Sequence, residues 1–102
     1  MKNTYHEFTF ADGEKTKMTL TFDRLLQLRT RDKELYERYN KYRMDGSTDI
    51  LEWLEMLYVA YLCAHIDDYA NCMSEEEFIA KCGNDLNAVT EAVAILTTPK
   101  KA

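Results

Sequence analysis

The sequence predicts an α+β domain that is mostly α, with an N-terminal β-hairpin over 5–22 followed by about four helices over 23–96, packed around a central apolar helix. Three observations predict it. Apolar and polar residues alternate in Tyr5 to Phe10 and again in Thr16 to Phe22. From Asp23 onward the apolar residues recur at helical spacing. An unbroken apolar run from Met56 to Ala64 then lies inside a stretch, Asp45 to Glu77, that holds nine carboxylates and no Lys or Arg. With three Gly and one Pro in 102 residues, little is left for long loops. A chain of this length is expected to form a single domain that buries roughly 60 to 70 per cent of the surface its unfolded form exposes.

In the hairpin, His6, Phe8 and Phe10 share one face of the first strand. Met18, Leu20 and Phe22 share one face of the second, while Lys17, Thr19 and Thr21 point the other way. Asp12-Gly13 supplies the turn, because glycine takes up positive φ without a steric penalty. An isolated two-stranded sheet is marginal in water, so the helices that follow must cover it.

Asp23 is the expected N-cap of a short helix carrying Leu25, Leu26 and Leu28. Thr30-Arg31-Asp32 offers a second capping point before Leu35, Tyr36, Tyr39 and Tyr42, so one bent helix or two successive ones would fit. Asp45-Gly46-Ser47-Thr48 is a stop, with Gly46 suited to the left-handed C-terminal position. Asp49 followed by Glu52 has the character of a capping box. The helix it opens carries Ile50, Leu51, Trp53, Leu54, Leu57, Tyr58, Tyr61 and Leu62 on one face and Met56, Val59 and Cys63 on a second, which makes it the core helix. Ser74-Glu75-Glu76-Glu77 is a capping box for a helix with Phe78, Ile79 and Cys82 that Gly83 ends. Asn84 or Asp85 caps the last helix, whose buried stripe is Leu86, Val89, Val93 and Leu96, and Pro99 ends it. The tail over 97–102 is expected to fray.

The formal charge of −5 joins two unlike halves. Asp23 to Arg43 holds seven basic residues against four acids, a net +3, ahead of the acidic block. That asymmetry suits contact between the halves, within one molecule or between neighbours. It suits nucleic acid poorly, since a compact acidic protein repels phosphate everywhere except along one stripe. Three cysteines without paired spacing argue for a reducing compartment, and the N-terminal residues lack the apolar core of a signal peptide. No apolar stretch approaches the roughly 20 residues of a membrane span, so the cytoplasm is the expected location and no membrane partner is implied.

Catalytic and metal chemistry find little support. Cys63, His65, Cys72 and Cys82 lack any C-x-x-C pair, and Cys63 and Cys82 stand where periodicity already asks for small apolar residues. Cys63 or Cys72 as the nucleophile of an enzyme would need a positioned base, and nothing local supplies one. His65 falls at a helix C-terminus, where the dipole favours a cation. Asp67-Asp68 and Glu75-Glu76-Glu77 lack the ligand spacing and glycine of a calcium loop, and no phosphate-binding glycine loop is present. No catalytic residue, cofactor or metal ligand is therefore assigned. The remaining feature is a tyrosine stripe, Tyr36, Tyr39 and Tyr42, interleaved with Arg38, Lys41 and Arg43. It fits core packing with basic heads reaching solvent, or a protein contact surface rich in tyrosine and arginine. It also motivates the rival reading, a small nucleic-acid-binding regulator that uses the basic segment 24–43.

The order of these parts carries a resemblance. A polar N-terminal hairpin, then Leu20-Thr21-Phe22-Asp23-Arg24-Leu25-Leu26-Gln27-Leu28, then Glu34-Leu35-Tyr36-Glu37-Arg38-Tyr39-Asn40, then Met56-Leu57-Tyr58-Val59-Ala60-Tyr61-Leu62-Cys63-Ala64, resembles the tail assembly chaperones of long-tailed bacteriophages and prophages of Gram-positive bacteria. The resemblance spans roughly Tyr5 to Leu96 and rests on structural rather than catalytic motifs. It implies a small, mostly helical protein without enzymatic activity. Such proteins coat the tape measure protein and keep it soluble while the tail tube polymerises around it. The implied partners are the tape measure protein, with the tail tube protein as a second candidate, and further copies of this chain. Recognition would fall to Tyr36, Tyr39, Tyr42 and Trp53, with Arg38 and Arg43 beside them. The family often adds a longer form by ribosomal frameshifting, and Pro99-Lys100-Lys101 is compatible with a slippery codon run there.

Overall fold

The structure, a computed structural model, describes residues 5–46 and 49–97. Ser47 and Thr48 of the expected stop, and the tail beyond Thr97 with Pro99-Lys100-Lys101, lie outside the described residues.

The hairpin pairs β1 (His6–Thr9) antiparallel with β2 (Lys15–Met18), His6 opposite Met18 and Phe8 opposite Thr16. Its loop is built as the sequence suggests. The Gly13 N–H donates to the Phe10 carbonyl at 3.0 Å and the Phe10 N–H to the Glu14 carbonyl at 2.7 Å. Gly13 sits at φ 92°, the left-handed bulge position that closes a three-residue loop. An Asp12 carboxylate oxygen accepts from the Glu14 N–H at 2.9 Å and fixes the turn from inside.

β2 is shorter than the alternation suggested, and this changes the fate of three residues. The chain leaves the ladder after Met18, and the Thr19 N–H donates to the Ala60 carbonyl at 3.1 Å instead. Thr19 is thereby buried, where outward exposure was expected, and Leu20 is only half-buried. Phe22, expected on the inner strand face, opens a helix and is 89% exposed.

Two successive helices follow, α1 (Phe22–Arg31) and α2 (Lys33–Asp45). The N-cap position of α1 is Thr21, so Asp23 lies in the first turn rather than at the cap. Asp32, with φ −147° and ψ 81°, breaks the run. Its carboxylate accepts from the Leu35 N–H at 3.1 Å and caps α2. Gly46 ends α2 at φ 67°. Helix α3 (Ile50–Ala64) starts where Asp49 accepts from the Leu51 N–H at 2.8 Å. A 3-10 segment, Ile66–Asn71, which the sequence did not announce, leads to α4 (Glu75–Cys82). Both halves of the Ser74–Glu77 capping box form. Asp85 rather than Asn84 caps α5 (Leu86–Thr97), accepting from the Ala88 N–H at 3.0 Å. In α5 the buried residues are Val89 and Ala92; Leu86, expected in the buried stripe, opens the helix and is exposed, while Val93 and Leu96 are half-buried.

Helix α3 is the hub and touches β2 and each of α1, α2, α4 and α5. Its residues Met56 to Cys63 are buried without interruption, as an apolar run without charge predicts. Each fully buried side chain of the size of Leu57, Val59 or Leu62 contributes about 1.5–3 kcal/mol relative to exposure. Phe10, Tyr58 and Tyr61 surround Phe78 with ring centroids 5.4 to 5.7 Å away, which joins hairpin, α3 and α4 into one cluster.

Candidate partner-binding surface

The basic segment and the acidic block meet within the molecule. An Arg24 guanidinium nitrogen lies 3.4 Å from Asp67, and Arg38 reaches Glu55 and Glu75, each at 3.5 Å. Arg38 thus ties α2 to α3 and α4, although its exposure keeps each pair weak. Burial, then the charge of Glu55, pushes the Glu75 carboxyl above its ordinary range. The Tyr42 hydroxyl donates to both Glu55 carboxylate oxygens, at 3.2 and 3.3 Å. Arg43 donates to the Asn40 side-chain oxygen at 3.0 Å.

The tyrosine stripe divides by helix face. Tyr39 is 4% exposed and belongs to the core; burial pushes its phenol up to about 12. Its ring therefore cannot meet a partner in this fold, which removes one of the residues named from sequence. Tyr36, Tyr42 and Trp53 are half-buried and pack against the core. An Arg29 guanidinium covers the Tyr36 ring at 5.8 Å, and Arg31 covers Tyr69 at 5.2 Å. Of the six residues, Arg38 and Arg43 are exposed.

The apolar surface lies elsewhere. Phe22 and Leu26, four residues apart on α1, share an outward face, with Leu26 54% exposed. At the corner between α2 and α3, Met44 is 69% and Leu51 60% exposed, with Ile50 beside them in the chain. Ile50 and Leu51, expected on the apolar face of the core helix, are instead exposed at its first turn. For Leu26 the outward phase is visible in the sequence, since the two facing positions hold Arg29 and Thr30; for Leu51 it is not, since its facing positions hold the buried Leu54 and the partly buried Glu55.

Compared with known proteins, the chain matches no family model, no curated protein and no solved structure. The surface must therefore be read from its own chemistry. Burial pushes the Cys63 thiol up to about 12 and Cys82 up to about 11, and it raises Cys72 as well. These shifts run opposite to the thiolate a nucleophile requires. His65 also departs from expectation. It does cap α3, but burial holds its imidazole below the ordinary value, so the cation favoured by the helix dipole is outweighed by desolvation. Its Nε2 shares a 2.8 Å hydrogen bond with the Thr16 hydroxyl of β2. Among the described residues no group of three or more His, Cys, Asp or Glu side chains is placed to hold a metal ion, and no helix is long and apolar enough to cross a membrane.

Proposed function

We propose that this chain is a tail assembly chaperone of the long-tailed phage type, which binds the tape measure protein reversibly and keeps it soluble. The observation that carries the reading is a set of exposed apolar side chains, Phe22 and Leu26 on α1 and Met44, Ile50 and Leu51 at the α2–α3 corner. It joins the resemblance in the order of parts from Tyr5 to Leu96 described above. Leucine, methionine and phenylalanine on helix surfaces match the apolar stripe of an elongated helical partner, the way an amphipathic helix is held in general. Each copy contributes a small contact, and many copies along one rod mask it through repeated weak binding.

The reading assigns Phe22, Leu26 and Leu51 to the partner and Arg38 to the chaperone's own architecture. Rival use of segment 24–43 for nucleic acid meets an obstacle in the geometry, since Tyr39 is buried and Tyr42 stands against a carboxylate. The test is affinity capture of the chain co-expressed with a tape measure protein, followed by light scattering at low and high salt. A complex with many copies per partner that persists at high salt supports the proposal. Capture of nucleic acid alone, released with a steep salt dependence, would replace it with the regulator reading.

A further inference from the structure

The outer edge of β1 is built to accept another strand. The hydrogen bond from the Phe10 N–H to the Glu14 carbonyl sets the phase of the ladder, so that Phe8 with Thr16 and His6 with Met18 are the hydrogen-bonded pairs. Glu7 and Thr9 fall at the alternate positions, opposite Lys17 and Lys15. Their backbone N–H and C=O groups point away from β2, toward an edge that no strand covers among the described residues. Beside that edge runs a cleft of about 440 Å³, lined by residues 6–9 of β1 and by Asp85, Asn87, Ala88, Glu91 and Ala92 at the start of α5. Residues from both faces of the strand line it, so the cleft follows the edge of β1 and not one side of the sheet.

The chemistry of the lining selects an occupant. Its charged side chains are Glu7, Asp85 and Glu91, with no Lys or Arg, while Ala88 supplies a half-buried apolar contact and Phe8 and Ala92 lie buried beneath it. On its other edge β1 already pairs with Lys15-Thr16-Lys17-Met18, where Lys15 lies 3.7 Å from Glu7. Both partners in that pair are more than 60% exposed, so Glu7 is weakly held and can turn to a second cation.

We infer that the cleft binds an extended segment of a partner polypeptide in which basic and apolar residues alternate, added as a third strand to the edge of β1. Main-chain hydrogen bonds to Glu7 and Thr9 give the binding its direction, apolar side chains meet Ala88 of α5, and the basic ones meet Glu7 and Glu91. This site uses none of Phe22, Leu26 or Leu51, so it stands or falls separately from the chaperone proposal.

The probe is a blocked hexapeptide alternating Lys with Val, titrated into the isotope-labelled full chain and followed by backbone amide shifts. The expected result is saturable binding with the largest shifts at Glu7 and Thr9. The Glu91→Lys variant should weaken it about tenfold. Thr9→Pro, which removes an N–H from the free edge where proline is tolerated, should abolish it while the circular dichroism stays unchanged. Should that variant not fold, a peptide N-methylated at alternate residues gives the same reading on the unmodified protein. No saturable shift at millimolar peptide, or equal binding by the N-methylated peptide, would overturn the inference.

Discussion

Gly83 and Ala11 lie so close that a Cβ built on Gly83 would fall 2.7 Å from the Ala11 Cβ. The contact docks the hairpin loop against the end of α4. The Ala11 N–H donates to the Lys81 carbonyl at 3.2 Å, and the Lys81 ammonium pairs with Asp12 and Glu14 of the same loop. Gly83 also takes φ 66° with ψ −140°, a region that other residues enter only under strain.

Gly83→Ala should therefore cost about 2–4 kcal/mol in urea unfolding, from backbone strain together with the overlap. Combining it with Ala11→Gly should recover the overlap and leave the strain, so roughly half the loss returns. A single substitution costing less than about 0.5 kcal/mol would mean the loop does not dock on α4.

His65 gives the fold an acid-sensitive joint between α3 and β2. Its imidazole is held below the ordinary 6.5 by burial, with Lys17 pushing the same way and Asp68 opposing. The unfolded chain takes up a proton near pH 6.5 while the folded chain does so only at lower pH. Stability should fall as pH drops through 6.5 and level off below the folded value. In His65→Gln the slope between pH 7 and 5 should flatten, read from urea midpoints; an unchanged slope would place the proton uptake elsewhere.

Much of the fold was legible because its signals are local. The Ser74 box, the Asp12-Gly13 turn, the Gly46 and Gly83 stops and the charge-free core helix each rest on residues a few positions apart. What escaped depended on tertiary contacts. Thr19 is buried because its N–H finds Ala60, forty-one residues on, and no alternation pattern could place it. The Ile66–Asn71 segment has weak helical signals and is held by Ile66 in the core and by Tyr58 and Tyr61, whose hydroxyls bond the Met73 backbone just beyond it. On α2 the sequence displays aromatic and basic residues but not which of them face the core. Tyr36 and Tyr39 are three residues apart and so offset by roughly 60° around the α2 axis, and that offset leaves Tyr39 buried and Tyr36 half-buried.

Arg38 illustrates how a charge that invites a partner can serve the molecule itself. Arg38→Met should lower stability by less than about 1 kcal/mol, because the guanidinium is partly exposed and its pairs are screened. The loss should shrink in high salt. Tape measure binding should be retained in this variant; loss of binding with stability intact would return Arg38 to the contact surface named from sequence.

The most direct measurement is the solubility of a tape measure protein co-expressed with this chain or with its Phe22→Glu, Leu51→Glu double variant. Both replaced residues are exposed, so the variant should melt within about 0.5 kcal/mol of the parent. The proposal predicts soluble tape measure protein with the parent chain and pelleted protein with the variant. Equal solubility with both, or a pellet with both, would contradict it.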